Sequence, residues 1–309
     1  MTSELSPTPA APIKWPAEDI WLAVEPRLPG FTVEVLPQVD SSNSELMRRF
    51  RAGPHGSQAA PEPTLLVAEH QTAGRGRMGR SWHGQRGDSL TFSLGLALQP
   101  TDWSGLSLAV GISLAESLEP TPRNTTDTTR IKLKWPNDLW LSGQTSGEPE
   151  RKLAGILVET TSWEGLRYVV IGVGINIRLP ELSAFDASAA ASSDAPAALA
   201  PGCLQALLPD IDAAAALLRV VPPLVQALQA FERFGFAPFQ ARFARRDALA
   251  GREVQLSDGT LGTAMGVAEN GALLVHTATG MKEITSSEVS VRPVHGSTAR
   301  RALEGLPPC

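Results

Sequence analysis

Two cysteines, Cys203 and Cys309, are all that the 309 residues contain. They make no disulfide framework and show no metal-ligand spacing, which fits a reducing compartment. Basic charge is also short, with 27 Lys and Arg against 32 Asp and Glu, a formal net charge of −5 and a pI near 5.6. Nucleic-acid-binding domains tend to be basic, so general nucleic-acid binding is disfavoured and any anion site has to be local. No stretch approaches the roughly 18 unbroken apolar residues of a membrane span. The N-terminus, MTSELSPTPAAPIKWPAEDIW, carries proline and acids where a signal peptide needs a basic start and an apolar core. These absences predict a soluble, cytoplasmic protein, and the length allows one large domain plus a small one.

What is present reads as alternating elements. The first dozen residues are Pro/Ala-rich and expected to be disordered. AEDIWLAVEPRL reads as a short helix, FTVEVLPQVD as a strand, and SSNSELMRRF as a helix capped by Ser or Asp. TLLVAEHQ and SLTFSLGLAL read as strands, GLSLAVGISLAESL as a helix, and RIKLKWPNDLWL, KLAGILVETT and RYVVIGVGINI as three β-rich segments. The stretch Pro180 to Pro201 is Ala/Ser/Pro-biased, as in an inserted flexible loop. Helical spacing resumes from Asp210 to Arg246, and the last segment turns to short strands joined by Asp-Gly and Asn-Gly turns, a small β-barrel-like domain.

One string needs a choice. GRGRMGRSWHG, Gly74 to Gly84, opens with G-x-G-x-x-G, the phosphate turn of dinucleotide folds. That turn needs a helix opening on its last glycine, but here a polar, glycine-broken run leads into another strand. Arg75, Arg77 and Arg80 also have no work in a turn built to bring bare backbone N–H groups to a pyrophosphate. Guanidinium forks among glycines suit a mobile loop that closes over an anion. The alternative is an ordinary solvated basic loop.

Three further strings carry candidates. KWPNDLW, Lys134 to Trp140, sets Lys134, Asn137 and Asp138 around a proline-stiffened turn, which is either a ligand site or a common Pro-Asn-Asp turn. RKLAGILVE, Arg151 to Glu159, places Lys152 before an apolar strand with Gly155 inside it. Such a glycine marks either close approach of a ligand or backbone, or a β-bulge. GVGINI places Asn176 after Gly172 and Gly174.

Taken together and in order, DSSN, AEHQTAGRGRMGRSW, KWPNDLW, KLAGILVE and GVGIN resemble one family, the biotin protein ligases, over roughly residues 30 to 294. The resemblance implies an α+β fold, a mixed β-sheet flanked by helices in the class II synthetase-like biotin/lipoate ligase manner, followed by a small SH3-like β-barrel. The expected divisions are an N-terminal extension at 1–29, a catalytic domain at 30–246, the small domain at 247–294 and a tail at 295–309. The implied reaction joins biotin to ATP as biotinyl-5′-adenylate, releasing pyrophosphate, and then passes biotin to a lysine of a carrier protein, that of acetyl-CoA carboxylase being the family expectation. Bringing two anions together calls for fixed cations in a site shielded from water.

By resemblance, Ser41, Ser42 and Gln71 hold biotin's ureido ring, with the Gly74 and Arg75 backbone beside it; Trp82, Gly155, Arg77 and Lys152 complete the biotin site, Arg77 reaching the carboxylate and phosphate and Lys152 orienting the biotin carboxylate. Lys152, Arg77 and Lys134 are the catalytic candidates. Arg77, Arg80, Lys134, Asn137, Asp138 and Asn176 would serve ATP and the adenylate, with Mg2+ on the phosphates and Asp138 near it. The family's usual S-T-N is S-S-N here, the segment SGQTSGEPE lengthens one link, and the insert after Pro180 falls where the family places an adenylate loop. Only 39 residues precede Asp40, without a basic recognition helix, so the expectation is a monofunctional enzyme with no DNA partner and an open question of homodimer formation. The rival expectations are a lipoate or octanoate ligase on the same fold and a non-catalytic biotin-responsive regulator.

Overall fold

The computed structural model describes residues 12–53, 60–120, 129–145, 147–179, 199–285 and 291–293. The expected disorder at the N-terminus, most of the insert after Pro180 and the tail from 295 lie outside the described residues.

The centre is a seven-stranded mixed sheet in the order β1-β2-β3-β7-β6-β5-β4. Its strands are β1 (Thr32–Leu36), β2 (Thr64–Ala68), β3 (Ser89–Ala97), β4 (Ile131–Lys134), β5 (Asp138–Leu141), β6 (Arg151–Trp163) and β7 (Leu166–Asn176). Only β1 and β2 pair in parallel; the other neighbours are antiparallel. The segment RIKLKWPNDLWL is thus a hairpin, β4 and β5 on either side of a turn whose Trp135–Pro136 peptide is cis.

Helix α1 (Ala17–Val24), α3 (Leu106–Leu118), α4 (Ala213–Phe234) and α5 (Ala237–Ala244) cover one face of the sheet, and α2 (Ser42–Ala52) the other. α3 is apolar nearly all round, as a helix buried between a sheet and further helices must be. α4 is long and apolar enough by length and composition to cross a membrane. Its buried residues, Ala213, Ala216, Leu217, Val220, Val221, Leu224, Val225, Leu228 and Phe231, instead recur every three or four positions, the stripe of a helix lying on a protein core. α1, assigned by sequence to an extension, buries Ile20 and Val24 in that same core.

α2 starts where Ser41, extended in backbone, accepts the Ser44 N–H in its side chain. It packs Leu46, Met47 and Phe50 against Leu66, Tyr168 and Val170. Phe50 reaches the sheet because Gly95 has no side chain: a Cβ there would lie 2.4 Å from the ring.

The C-terminal segment forms a second, five-stranded antiparallel sheet, order β11-β10-β9-β8-β12. Its strands are β8 (Glu253–Leu256), β9 (Leu261–Val267), β10 (Leu273–Thr277), β11 (Gly280–Ile284) and β12 (Val291–Pro293). The expected turns are in place: Asp258 and Asn270 each accept the N–H two residues on, and Gly259 and Gly271 take positive φ. The small sheet shares the main core through Val254, Leu256, Val267, Leu273 and Val275.

The two sheets are joined where the site will lie. The chain leaving α5 runs beside β4, with Leu133 N–H donating to Arg246 O at 2.7 Å and Ala248 N–H to Leu133 O at 3.0 Å. Arg246, 1% exposed, ties this linker to Glu119 and to the Ile131 carbonyl. Trp135, fully buried, donates its indole N–H to Gly271 O of the small sheet at 3.1 Å. Trp135→Phe removes that donor and leaves a buried carbonyl unpaired, so denaturant unfolding is expected to show a loss of about 1–3 kcal/mol. An unchanged midpoint would mean that the junction does not depend on this bond.

Candidate active site

One rung of the large sheet carries the centre of the site. Lys134 pairs with Asp138, Asp138 with Gly155, Gly155 with Gly174 and Gly174 with Thr91, so these five residues stand in a row on the face that α2 covers. The next rung on that face runs Leu157, Gly172, Ser93. Glycine at 155, 172 and 174 leaves the middle of the face bare.

The arginine loop fills the part of that gap over Gly155 and Gly174. The loop folds back on itself: Gly76 N–H donates to Arg80 O at 2.7 Å and Trp82 N–H to Gly74 O at 2.9 Å. Arg77–Gly79 make one short turn at the tip, where Met78 and Gly79 take φ of 55° and 71°. No helix follows the glycines, and the next element is β3. Trp82 then lies on the bare rung: a Cβ on Gly174 would stand 2.3 Å from its ring, and one on Gly155 would be 3.5 Å away. The glycine inside KLAGILVE therefore admits a close approach. A register shift beside it, between Leu139 and Trp140, accompanies the turn of Lys152 toward the same rung.

Ser41, Ser42, Gln71, Arg75, Arg77, Arg80, Trp82, Lys134, Asn137, Asp138, Lys152 and Gly155 all line one cleft, together with Asn43, Met78 and Thr91. The two ends differ in chemistry. At one end are hydroxyls and amides. Gln71 Oε1 accepts Ser42 N–H at 2.7 Å, and Ser93 Oγ stands 2.7 Å from Ser42 Oγ and 2.6 Å from Asn43 Oδ1. Asn43 spends its Nδ2 protons on Leu157 O and Glu159, so its Oδ1 can only accept, and the single Ser93 proton goes there.

At the other end, among the described residues, four cations, Arg77, Arg80, Lys134 and Lys152, face one lining carboxylate, Asp138. Lys152 Nζ donates to Asp138 Oδ1 at 2.7 Å. Arg77 donates to Asn137 Oδ1 at 3.2 Å, and Asn137 is itself fixed by Nδ2 to Ile156 O at 2.8 Å. Burial pushes the Lys134 ammonium down from its ordinary 10.5 to about 8. Asp138 works against this, and Lys152, Arg77 and Arg80 add to it. Burial also lowers Arg77. Four cations about one carboxylate among the described residues suit an anion.

Two of the expected residues, Gly74 and Asn176, are not among those lining the cleft, and Arg75 lines it with its side chain turned away. Gly74 is glycine because a Cβ would meet Trp82 O at 2.3 Å and Gln71 Nε2 at 2.8 Å. Asn176 Nδ2 donates to the carbonyls of Lys152 and Gly202, holding the Ala200–Gly202 segment beside Lys152, so this donor supports the lysine's backbone. Arg75 lies at the cleft, but its guanidinium turns to Glu159, 2.9 Å from Nη2 to Oε1. Asn43, Thr91, Ser93 and Glu159 do not stand out in the sequence as site residues. Asn43 and Glu159 sit inside the strings DSSN and RKLAGILVE, but nothing in a string tells which letter reaches across to another strand.

The cleft thus joins a neutral hydrogen-bonding end to a cationic end under the arginine loop, an arrangement suited to activating a carboxylic acid with a nucleotide. Residues 36–176 match the Biotin/lipoate A/B protein ligase family, and 250–292 match the Biotin protein ligase C terminal domain. The Bifunctional ligase/repressor BirA of Escherichia coli is 34% identical over 274 residues, 86% of this chain and 76% of that relative. The Biotin–[acetyl-CoA-carboxylase] ligase of Paracoccus denitrificans is 29% identical over 82% of this chain and 98% of its own. Among solved structures, the biotin protein ligase from Aquifex aeolicus in complex with biotin and ATP superposes with a TM-score of 0.64 at 29% identity, covering 85% of this chain and 99% of that one. The chain belongs to the biotin protein ligase family.

The packing of Trp82 gives a direct test. Gly174→Ala has to displace the indole, since the new Cβ would sit 2.3 Å from it. Trypsin is then expected to cut at Arg77 or Arg80 faster than in the parent, and an unchanged cleavage rate would sink this account of how the loop is held.

Proposed function

We propose that the chain is an ATP-dependent biotin protein ligase. It forms biotinyl-5′-adenylate and pyrophosphate, then transfers biotin to a lysine of a biotin carboxyl carrier protein, with release of AMP. The observation that carries this reading is the charge imbalance at one end of the cleft, four cations about one carboxylate among the described residues, beside a neutral hydrogen-bonding end. Two relatives are named biotin–[acetyl-CoA-carboxylase] ligases, which supports the carrier protein of acetyl-CoA carboxylase as the acceptor.

The residues divide the work by place. Ser41, Ser42 and Gln71 offer donors and acceptors to the ureido ring, with Trp82 as the apolar wall. Lys152, held over the rung by Asp138, is placed to exchange that carboxylate for the biotin carboxylate and bring it to the α-phosphate. Lys134 and Arg77 offset the charge that builds on the phosphoryl oxygens as the carboxylate oxygen attacks and the bond to pyrophosphate breaks. A loop closed over the anhydride keeps water from it until the carrier amine attacks the acyl carbon and AMP leaves. The protein offers little to a metal. Among the described residues Asp138 is the one lining carboxylate and is bound by Lys152, and no group of three His, Cys, Asp or Glu comes together. Mg2+ would therefore come with the ATP phosphates, as this hard ion commonly does.

Biotin-dependent exchange of labelled pyrophosphate into ATP tests the first half-reaction. Exchange with biotin but not lipoate is expected, and Lys152→Ala should lower it by about 100-fold or more, the scale of removing one electrostatic contact to the reacting centre. Exchange with lipoate alone would move the chain to the lipoyl-ligase reading, and biotin binding without exchange would make it a sensor.

Lys134 adds a pH dependence of known sign. Its folded pKa lies below its ordinary value, so between about 8 and 10.5 the unfolded chain keeps a proton that the folded one has lost. The burial penalty is thus full below about pH 8 and fades as pH rises toward 10.5. Anion binding runs the opposite way, because it needs the ammonium. Pyrophosphate affinity, measured by calorimetry, is expected to fall above about pH 8, by up to about tenfold per pH unit. Lys134→Gln should bind more weakly and flatten the profile; a profile of the same slope in the variant would refute the assignment.

A further inference from the structure

Arg75 and Glu159 have no part in the chemistry above, yet their contacts close a loop in the literal sense. Arg75 Nη2 donates to Glu159 Oε1 at 2.9 Å, and Nη1 reaches Glu159 Oε2 at 3.4 Å and Ser44 Oγ at 3.1 Å. Glu159 Oε2 also accepts Asn43 Nδ2 at 3.1 Å. From Asn43 the path continues through Ser93, whose one proton goes to Asn43 Oδ1, to Ser42, whose hydroxyl then donates to Ser93 Oγ at 2.7 Å and whose N–H donates to Gln71 Oε1 at 2.7 Å. The path begins at Gln71 and ends at Arg75, four residues further along the same loop.

We propose that Glu159 is a positioning residue for biotin activation. The ring it completes bolts the first arm of the arginine loop, residues 71–75, to the polar wall of the cleft, so that seating the ureido ring and placing the loop tip are one event. The proposal rests on the biotin ligase reading above and adds to it how the loop is coupled to the acid that it covers.

Two features favour coupling over mere surface decoration. An ion pair as exposed as Arg75 and Glu159, 48% and 22%, contributes little to stability by itself. Here, however, the carboxylate is shared with Asn43, which is 3% exposed and whose other polar atoms are all engaged, so Glu159 cannot move without disturbing the buried wall. Gly172 lets Asn43 lie close against the strand: a Cβ there would lie 2.2 Å from its Oδ1. Gly76, the first residue past the bolted arm, opens the reversal that carries the tip.

The test uses the full chain with Arg75→Gln, Glu159→Gln and the double variant, in pyrophosphate exchange with biotin and ATP varied separately. Each single variant is expected to raise KM for biotin about tenfold while KM for ATP stays within about twofold, and bound adenylate should escape faster, as a misplaced lid predicts. The double variant should be no worse than the worse single, because both remove one shared interaction. Arg75 is half exposed, so its variant keeps the fold and decides the matter if Glu159→Gln does not. Parental constants in the singles, equal rises in both KM values, or effects that multiply in the double overturn the proposal. Failure of the parent reading looks different: the unaltered chain would show no biotin-dependent exchange at all.

Discussion

The structure depends on a sheet face from which side chains have been removed. Gly95, Gly155, Gly172 and Gly174 lie on three adjacent strands, and three large groups from elsewhere stand where their side chains would be: Phe50 over Gly95, Asn43 over Gly172, and Trp82 over Gly155 and Gly174. A strand-interior glycine costs conformational entropy and packs nothing itself. The cost is offset because each bare position admits a group that does two jobs. Phe50 anchors α2, Asn43 fixes the polar wall, and Trp82 seats the arginine loop. Put side chains back on that face and the helix, the wall and the loop all lift off together.

Charge is arranged on the same face with a cost of its own. Lys134, Lys152, Arg77 and Arg80 repel one another around Asp138, and burial pushes Lys134 down to about 8. That local conflict amid an otherwise consistent fold is where function is to be expected, and an anion entering the cleft relieves it. The rung ends at Lys134, next to Trp135 and its bond to the small sheet, while the linker beyond α5 covers the outer edge of β4. The small domain thereby holds the end of the hairpin that carries Lys134, Asn137 and Asp138.

Much of this is legible in the sequence, and the reasons are specific. Alternation marks the strands SLTFSLGLAL and RYVVIGVGINI, Asp258-Gly259 and Asn270-Gly271 mark the turns of the small sheet, and the lack of a helical pattern after GRGRMG removes the dinucleotide reading on the letters alone. Residue types close in sequence to the chemistry, Lys134, Asp138 and Lys152, fall in one cleft because a hairpin and a neighbouring strand bring them there by pairing alone. What cannot be read depends on side-chain direction across elements. Asn176 has the right letter and the right strand, but its amide is taken by the carbonyls of Lys152 and Gly202. Glu159 ends the string RKLAGILVE and looks like any strand-surface acid until Arg75 and Asn43 are seen to meet on it.

The three arginines show the limit most clearly, since composition makes them equal and the fold does not. Arg75 is spent on Glu159, Arg77 points to Asn137 at the cationic end, and Arg80 lines the cleft at the turn's exit. The backbone sorts them. Between Gly76 and Arg80 the chain reverses, with Met78 held at a φ of 55° that a branched or bulky side chain resists. Arg75 therefore lies on the arm running along α2, and Arg77 at the tip facing the hairpin. A loop with the same seven letters but without the reversal would present all its guanidinium groups to solvent, as an ordinary basic loop does. The glycines thus do more than loosen the loop, because the hairpin they allow is what separates a structural arginine from a ligand-facing one.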